Sequence, residues 1–319
     1  MRAHLVVTPG DPRGIGPEVA LRALERFESE NPDALVVLVG PEGAVDRSHV
    51  ASDPVRWHGW RGGSDAEAGT VAARSIERAV ALAMSGEAHA VVTAPLHKPS
   101  LQAAGWSAPG QTEMLRDLAG SSSVGMLMAA EHTRLDGPLR VLLATRHVPL
   151  KEVSDRLSAS LLVEQSVLLH DALRSDWGLA EPRLALCALN PHASDGGLFG
   201  TEEAEVYAPA LERIRASGIL VEGPLPADTV FTRALAGEFN AVVAPYHDVG
   251  MAAFKTVAFG SGVNVTLGLP FVRTSPDHGT AFGLAGAGTA DPTSMLEALR
   301  LAARLSHTRF DTASADVLT

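Results

Sequence analysis

Three histidines, His147, His192 and His247, each stand within a few residues of the end of an apolar β-type run. Thr145-Arg146-His147 follows Arg140–Ala144, Asn190-Pro191-His192 follows Arg183–Leu189, and Pro245-Tyr246-His247-Asp248 follows Ala241–Ala244. Ligands of open parallel sheets collect beyond the carboxyl ends of the strands, so these imidazoles are candidates for one site. They lie 45 and 55 residues apart, and only folding brings such positions together. Neutral imidazole is the commonest metal ligand, and three protein ligands with an open fourth position describe a catalytic zinc-type site. Two readings stand at this point. One is a metal trio; the other is three of the chain's twelve histidines, each making a local hydrogen bond. No short-range ligand motif such as H-E-x-x-H decides between them.

A second constellation follows the third histidine. Lys255, Asn264 and Arg273 fall in sparsely charged, glycine-rich sequence with large apolar neighbours. Cations in such a setting need an anionic partner, because burying them alone is expensive. Arginine offers a forked grip on carboxylate or phosphate, and lysine a point charge. The competing reading is snorkelling at the surface, which suits Arg300 and Arg304 on the last helical segment better. Asp277-His278-Gly279 reads as a turn that brings polar atoms near a ligand. The stretch from Thr8 to Glu18, TPGDPRGIGPE, joins a strand to a helix start, a natural anion site. It is neither a P-loop nor a dinucleotide fingerprint, and no G-x-G-x-x-G occurs in the chain. The residues alone thus describe an anion-binding α/β enzyme with a candidate metal site, and they do not disclose a nicotinamide site.

The whole-chain quantities narrow the field. With 319 residues, 46% hydrophobic and 20% charged, the chain has ordinary globular composition and length for about two domains. A net charge of −11 argues against a nucleic-acid binder, whose affinity rests on neutralising phosphates. Aromatic residues at 5% are too few for a stacking platform. The one cysteine, Cys187, sits in an apolar run with nothing basic beside it, which reads as an inert buried thiol. No signal peptide or membrane-length apolar run is evident, so a cytoplasmic location is expected.

The elements that must position these residues alternate between short apolar runs and longer helical patterns, as in a largely parallel sheet covered by helices. Strands are expected at Leu5–Thr8, Leu35–Val39, Ala90–Thr93, Val124–Ala129, Arg140–Ala144, Arg183–Ala188, Ala241–Ala244 and Val263–Leu267. Several are apolar throughout, as strands buried on both faces should be. Helices are expected at Pro17–Phe27, Ala66–Met84, Ser154–Leu173, Thr201–Ala216 and Pro292–Leu305. Val19, Ala23 and Phe27 make the apolar stripe of the first, and Pro17 suits its first turn. Trp60–Asp65 reads as a surface loop, and Ser314–Asp316 as a frayed tail.

Over nearly its whole length the chain resembles the 4-hydroxythreonine-4-phosphate dehydrogenase family of vitamin B6 synthesis. The resemblance is carried by TPGDPRGIGPE, VTAPLHK at 92–98, GQTEML at 110–115, LNPHASDGGLFGTEE at 189–203, GPLPADTVF at 223–231, YHDVGMAAFK at 246–255 and VNVTLGLPFVRTSPDHGTA at 263–281. It implies a two-domain α/β fold like that of isocitrate and isopropylmalate dehydrogenases, with a largely parallel sheet and the active site in the interdomain cleft. The domains implied are 1–125 plus 280–319, and 126–279 carrying most metal and substrate residues. It also implies a homodimer with active sites at the subunit interface, NAD (or NADP), and a divalent metal: zinc first, with magnesium, cobalt or manganese as alternatives.

The family's metal histidines fall on His147, His192 and His247. Its substrate residues fall on Thr112, Lys255, Asn264 and Arg273, with Gln111 beside them. Asp277, His278 and Gly279 are the candidate cofactor residues, and Lys255 and Asp228 the candidate catalytic ones. One departure stands out. Where the family pattern usually reads G-H-T-E, this chain has Gly110-Gln111-Thr112-Glu113. Glutamine hydrogen-bonds but carries no proton charge at neutral pH. The expected reaction is oxidation of 4-phosphohydroxy-L-threonine to a 3-keto acid that decarboxylates to 3-amino-2-oxopropyl phosphate. The alternatives are dehydrogenation of erythronate or threonate 4-phosphate or of a dihydrodiol, and, from another class, acyl transfer of the phosphotransacylase type. A non-enzymatic ligand-binding protein fits least, given both clusters.

Overall fold

The computed structural model describes residues 2–40 and 63–316. In chain order the elements are β1 (His4–Thr8), α1 (Gly16–Glu30), β2 (Leu35–Leu38), α2 (Asp65–Met84), β3 (Ala90–Thr93), α3 (Lys98–Ala103) and α4 (Gln111–Ala119). Then follow β4 (Gly125–Ala130), β5 (Leu139–Leu143), α5 (Val153–Arg156), α6 (Ala159–Ser175), β6 (Arg183–Cys187), α7 (Ala208–Ala216) and β7 (Leu220–Leu225). The last are α8 (Ala227–Leu235), β8 (Ala241–Ala244), α9 (His247–Ala258), β9 (Val263–Leu267), β10 (Val272–Pro276) and α10 (Thr293–Asp316). They form two compact units, 1–124 with 268–319, and 125–267.

In the first unit the strand order is β2-β1-β3-β10, all parallel. The return to this unit comes at 268 rather than 280, because β10 pairs with β3, Arg273 opposite Val91. Val6 and Val91 pack with Ile76, Leu101, Leu115 and Phe271 in one buried cluster. Helix α1 buries Val19, Ala23 and Phe27, the stripe expected of it. Helix α2 begins with a capping box: Ser64 Oγ accepts from the Glu67 amide, and the Glu67 carboxylate accepts from the Ser64 amide. Helix α10 runs to Asp316, through the segment expected to fray. Of the expected Trp60–Asp65 loop, 60–62 lie outside the described residues, while Ser64 caps α2 and Asp65 is its first residue.

In the second unit the order is β9-β4-β5-β8-β6-β7. Strand β4 is antiparallel to both β5 and β9, and the remaining pairs are parallel. Every residue of β5 is buried, including Arg140, whose guanidinium pairs with Glu131 at 2.9 Å; the rest of the strand is apolar, as a strand covered on both faces should be. Val141 and Leu143 join a core with Phe231 of α8 and Phe254 of α9. Burying a side chain the size of Phe254 contributes about 2–3 kcal/mol. Among the described residues no helix is long and apolar enough to cross a membrane.

Two strands and four helices were not expected from the sequence: β7, β10, α3, α4, α8 and α9. The expected helix at 201–216 is divided: a single wide turn over Glu203–Tyr207 leads into α7, which has a proline in its first turn.

Candidate active site

Within the second unit, the segment after β5 is tied to the end of β8. Thr145 donates from its amide at 3.1 Å and from its hydroxyl at 2.7 Å to the Pro245 carbonyl. This tie sets the His147 and His247 rings side by side, with centroids 5.5 Å apart. His247 opens α9, and its Nδ1 lies 2.7 Å from Asp248 Oδ1. A carboxylate at Nδ1 holds the proton there and turns Nε2 outward as a lone-pair donor, the state a metal ligand requires. Helix α9 can approach β5 this closely because residue 250 is glycine; a Cβ there would lie 2.7 Å from the Leu143 side chain.

His192 is presented differently. It begins a left-handed run: His192 (φ 52°), Ala193 (53°), Ser194 (72°) and Asp195 (44°), followed by two glycines. For L residues this conformation costs about 1–2 kcal/mol each, so contacts around the turn must hold it. Among the described residues no set of three His, Cys, Asp or Glu side chains is arranged to hold a metal ion. One chain therefore pairs His147 with His247 and does not add His192 to them. The paired imidazoles, one backed by a carboxylate, fit a divalent ion as two of its ligands.

Lys255 lies on α9 two turns after His247, half-buried, with Nζ 5.8 Å from the Phe259 ring centre. Asn264 is in β9, and its Oδ1 is buried without a hydrogen-bond donor among the described residues. An orphaned buried acceptor is costly and suits a ligand amine or hydroxyl. Asp228 is exposed in the first turn of α8, where its charge complements the helix's positive end. The structure does not show it with the histidines.

The first unit carries the other group. Arg273 in β10 is buried, and its Nη2 donates to Thr93 Oγ1 at 2.6 Å and to Gln111 Oε1 at 3.2 Å. Burial pulls its pKa down to about 10, against the opposing pull of Glu113. Gln111 and Thr112 form the first turn of α4, whose N-cap, Gly110, gives no side-chain cap. Arg273 thus bonds the first residue of α4, at the helix's positive end, an arrangement suited to an anion. Gln111 also donates from Nε2 to the Ala94 carbonyl at 3.0 Å, so both ends of its amide are engaged.

Asp277 and His278 follow β10 directly. The Asp277 amide donates to Ser294 Oγ at 3.0 Å. His278 Nδ1 faces the Gly279 carbonyl at 3.1 Å and so carries the proton, while its Nε2 is buried with no partner among the described residues. The 8–18 loop closes against the same return: the Ile15 amide donates to Thr280 O at 2.9 Å. Gly10 (φ 72°) is required here, since a Cβ would come within 2.0 Å of Pro95 O.

The sequence reading missed three residues around these groups. Lys98 reaches α4's N-terminus, where its Nζ would lie 4.0 Å from a Cβ on Gly110. Arg13 is held by Asp11, Asp65 and Ser100, which makes it a structural clamp on the loop rather than an anion grip. Glu203, eleven residues after His192, ties down the His192 turn. Lys98 was visible as the only charge of VTAPLHK; the other two gave no signal without the fold.

Comparison with known proteins finds relatives along nearly the whole chain. The family model described as "Pyridoxal phosphate biosynthetic protein PdxA" matches residues 14–302. The 4-hydroxythreonine-4-phosphate dehydrogenase of Chromobacterium violaceum is 41% identical, over 96% of this chain and 97% of its own. The crystal structure of 4-hydroxythreonine-4-phosphate dehydrogenase from Klebsiella pneumoniae is 36% identical, with a TM-score of 0.82 over 95% of this chain and 99% of that one. Isocitrate dehydrogenase from Methylococcus capsulatus shares the fold, with a TM-score of 0.53 at 16% identity over 99% of this chain and 90% of that one.

Proposed function

The chain belongs to the PdxA family of pyridoxal phosphate biosynthetic proteins, and on that premise we propose that it is an NAD- and divalent-metal-dependent dehydrogenase of 4-phosphohydroxy-L-threonine. The secondary alcohol at C3 is oxidised to a ketone, and the resulting β-keto acid loses CO2 to give 3-amino-2-oxopropyl phosphate. The observation that carries the reading is the His147–His247 pair at 5.5 Å, backed by Asp248, at the ends of two adjacent strands. Family membership supports an oxidoreductase acting on a phosphorylated hydroxy acid.

When bound, a divalent metal would supply charge favouring an alkoxide-like substrate oxygen, and a nicotinamide would supply the two-electron acceptor for the alcohol. The chain's own side chains bind and orient. Arg273, Thr112 and the first amides of α4 hold an anionic end of the substrate. Asn264 Oδ1 accepts from its amine or a hydroxyl, and Lys255 holds a second anionic group and a proton near it. Asp228, in the first turn of α8, is the second group for proton movement. His278, with its bare Nε2, and its neighbours Asp277 and Gly279 face the nucleotide. The third imidazole, His192, is apart from the pair within one chain, which favours a homodimer whose second copy completes the ligand set. Zinc suits an all-imidazole set best.

A second reading is favoured by Gln111. An amide there changes the hydrogen-bonding group beside Arg273, so a four-carbon phosphorylated acid bearing a hydroxyl in place of the amine, erythronate or threonate 4-phosphate, is the rival substrate. The test is NADH formation on 4-phosphohydroxy-L-threonine beside those two compounds, each with and without chelator. The reading expects the phosphorylated amino acid to be preferred and chelator to abolish turnover. Turnover of the sugar-acid phosphates alone would select the rival.

A further inference from the structure

We propose that Glu203 is a positioning residue for His192: its carboxylate holds the left-handed turn in the shape that presents this imidazole. The proposal rests on the reading of His192 as a metal ligand and deepens it, since nothing in that reading says how a strained turn is kept in place.

The geometry is specific. Glu203 Oε1 accepts from the amides of Leu189 at 3.0 Å and Asn190 at 2.8 Å. Oε2 accepts from Asn190 Nδ2 at 2.8 Å and faces Ser194 Oγ at 2.6 Å. These donors bracket His192 in sequence, Leu189 and Asn190 three and two residues before it and Ser194 two after. Glu203 is only 6% exposed. Burial alone would raise its pKa, yet bonds from Ser194 and Asn190 hold it below the ordinary glutamate range, so the carboxylate stays ionised. All four contacts come from groups that can donate, and an acceptor-only carboxylate satisfies them as no amide could.

The clamp is itself anchored. Glu203 begins the turn that ends at Tyr207, and Tyr207, fully buried, donates to the Cys187 carbonyl at the end of β6 at 2.8 Å. Gly200 is needed for the turn to close: at φ 131°, a Cβ there would lie 2.6 Å from Asn190 Nδ2. The adjacent Glu202 reaches the same Asn190 Nδ2 at 2.8 Å but touches neither backbone amide nor Ser194, which makes it the natural control.

The experiment uses full-length Glu203→Gln, with Glu202→Gln and His192→Ala alongside. Three quantities are read: far-ultraviolet circular dichroism with thermal unfolding, amide hydrogen exchange across 189–200 in metal-free protein, and the dissociation constant for zinc by direct titration. Glu203→Gln turns an NH2 toward donors, so exchange across 189–200 should accelerate and zinc should bind about 10–100-fold more weakly, the usual effect of removing a residue that orients a ligand. Glu202→Gln should leave both near the parent. If Glu203→Gln does not fold, Ser194→Ala removes one contact of the clamp and should shift both readouts in the same direction by less. Exchange and zinc affinity unchanged in folded Glu203→Gln would overturn the proposal, as would a lowered melting temperature without either change. Zinc affinity intact in His192→Ala would instead overturn the metal reading of His192, and exchange across 189–200 would then decide alone whether Glu203 holds the turn.

Discussion

Gln111 joins Arg273 to the backbone of the neighbouring strand end. Its Oε1 accepts from Arg273 Nη2 at 3.2 Å while its Nε2 donates to the Ala94 carbonyl at 3.0 Å. The amide thus sets the direction of the guanidinium as well as lining the site. Histidine, with one ring donor and one ring acceptor, has a different reach, and when protonated it would repel Arg273. Gln111→His should therefore change the ranking of phosphorylated substrates by about 1–3 kcal/mol, the cost of a mispaired polar group in a buried site. The ratio of kcat/KM for 4-phosphohydroxythreonine and erythronate 4-phosphate in the two proteins measures it; an unchanged ratio removes Gln111 from specificity.

Arg273→Lys keeps the charge and loses the fork. The shorter grip leaves Thr93 Oγ1, now 2.6 Å from Nη2, without its donor. The apparent affinity for the phosphorylated substrate should fall about tenfold or more, with little change in the KM for NAD. Equal losses for both would show that Arg273 serves the fold and not the substrate.

Much of this arrangement was legible in the sequence, and its gaps have physical causes. The eight expected strands are present, and one buried at every position, such as β8, advertises itself as an apolar run. Strand β10 was invisible because Arg273, Thr274 and Ser275 are polar yet buried, which is what a strand bearing a ligand grip looks like. Strand β7 was masked by Gly223-Pro224 in its middle and by its half-exposed side chains. Helices α4 and α9 were read as motifs because their chemistry-bearing residues, Gln111 and His247, are their first residues. The histidines' common position after strands was readable, but spacing could not show that His192 opens a left-handed turn. Such a turn depends on Glu203, whose role exists only in three dimensions.

Glu203 also makes a pH prediction. Its pKa is depressed in the folded protein, so its ionised form contributes stability above the unfolded value, near 4.3 for an ordinary glutamate. That contribution should be lost as pH falls from about 4.3 through the lower folded value. The metal-free wild-type protein should lose more melting temperature over this window than Glu203→Gln does. Parallel curves for the two proteins would contradict it.

Cys187 is fully buried at the end of β6, and burial pushes its thiol up to about 12. The native protein should resist alkylation by iodoacetamide at pH 8 and react fully in denaturant. Rapid modification of the folded protein would mean that the end of β6 opens to solvent.

The proposed metal at His147 and His247 is tested most directly by the initial rate of NADH formation from 4-phosphohydroxy-L-threonine by chelator-stripped protein as zinc is returned. The stripped protein should be inactive and regain its rate in proportion to zinc bound, and His147→Ala and His247→Ala should bind zinc poorly and stay inactive. A full rate in stripped protein, or full recovery in either variant, would contradict the account.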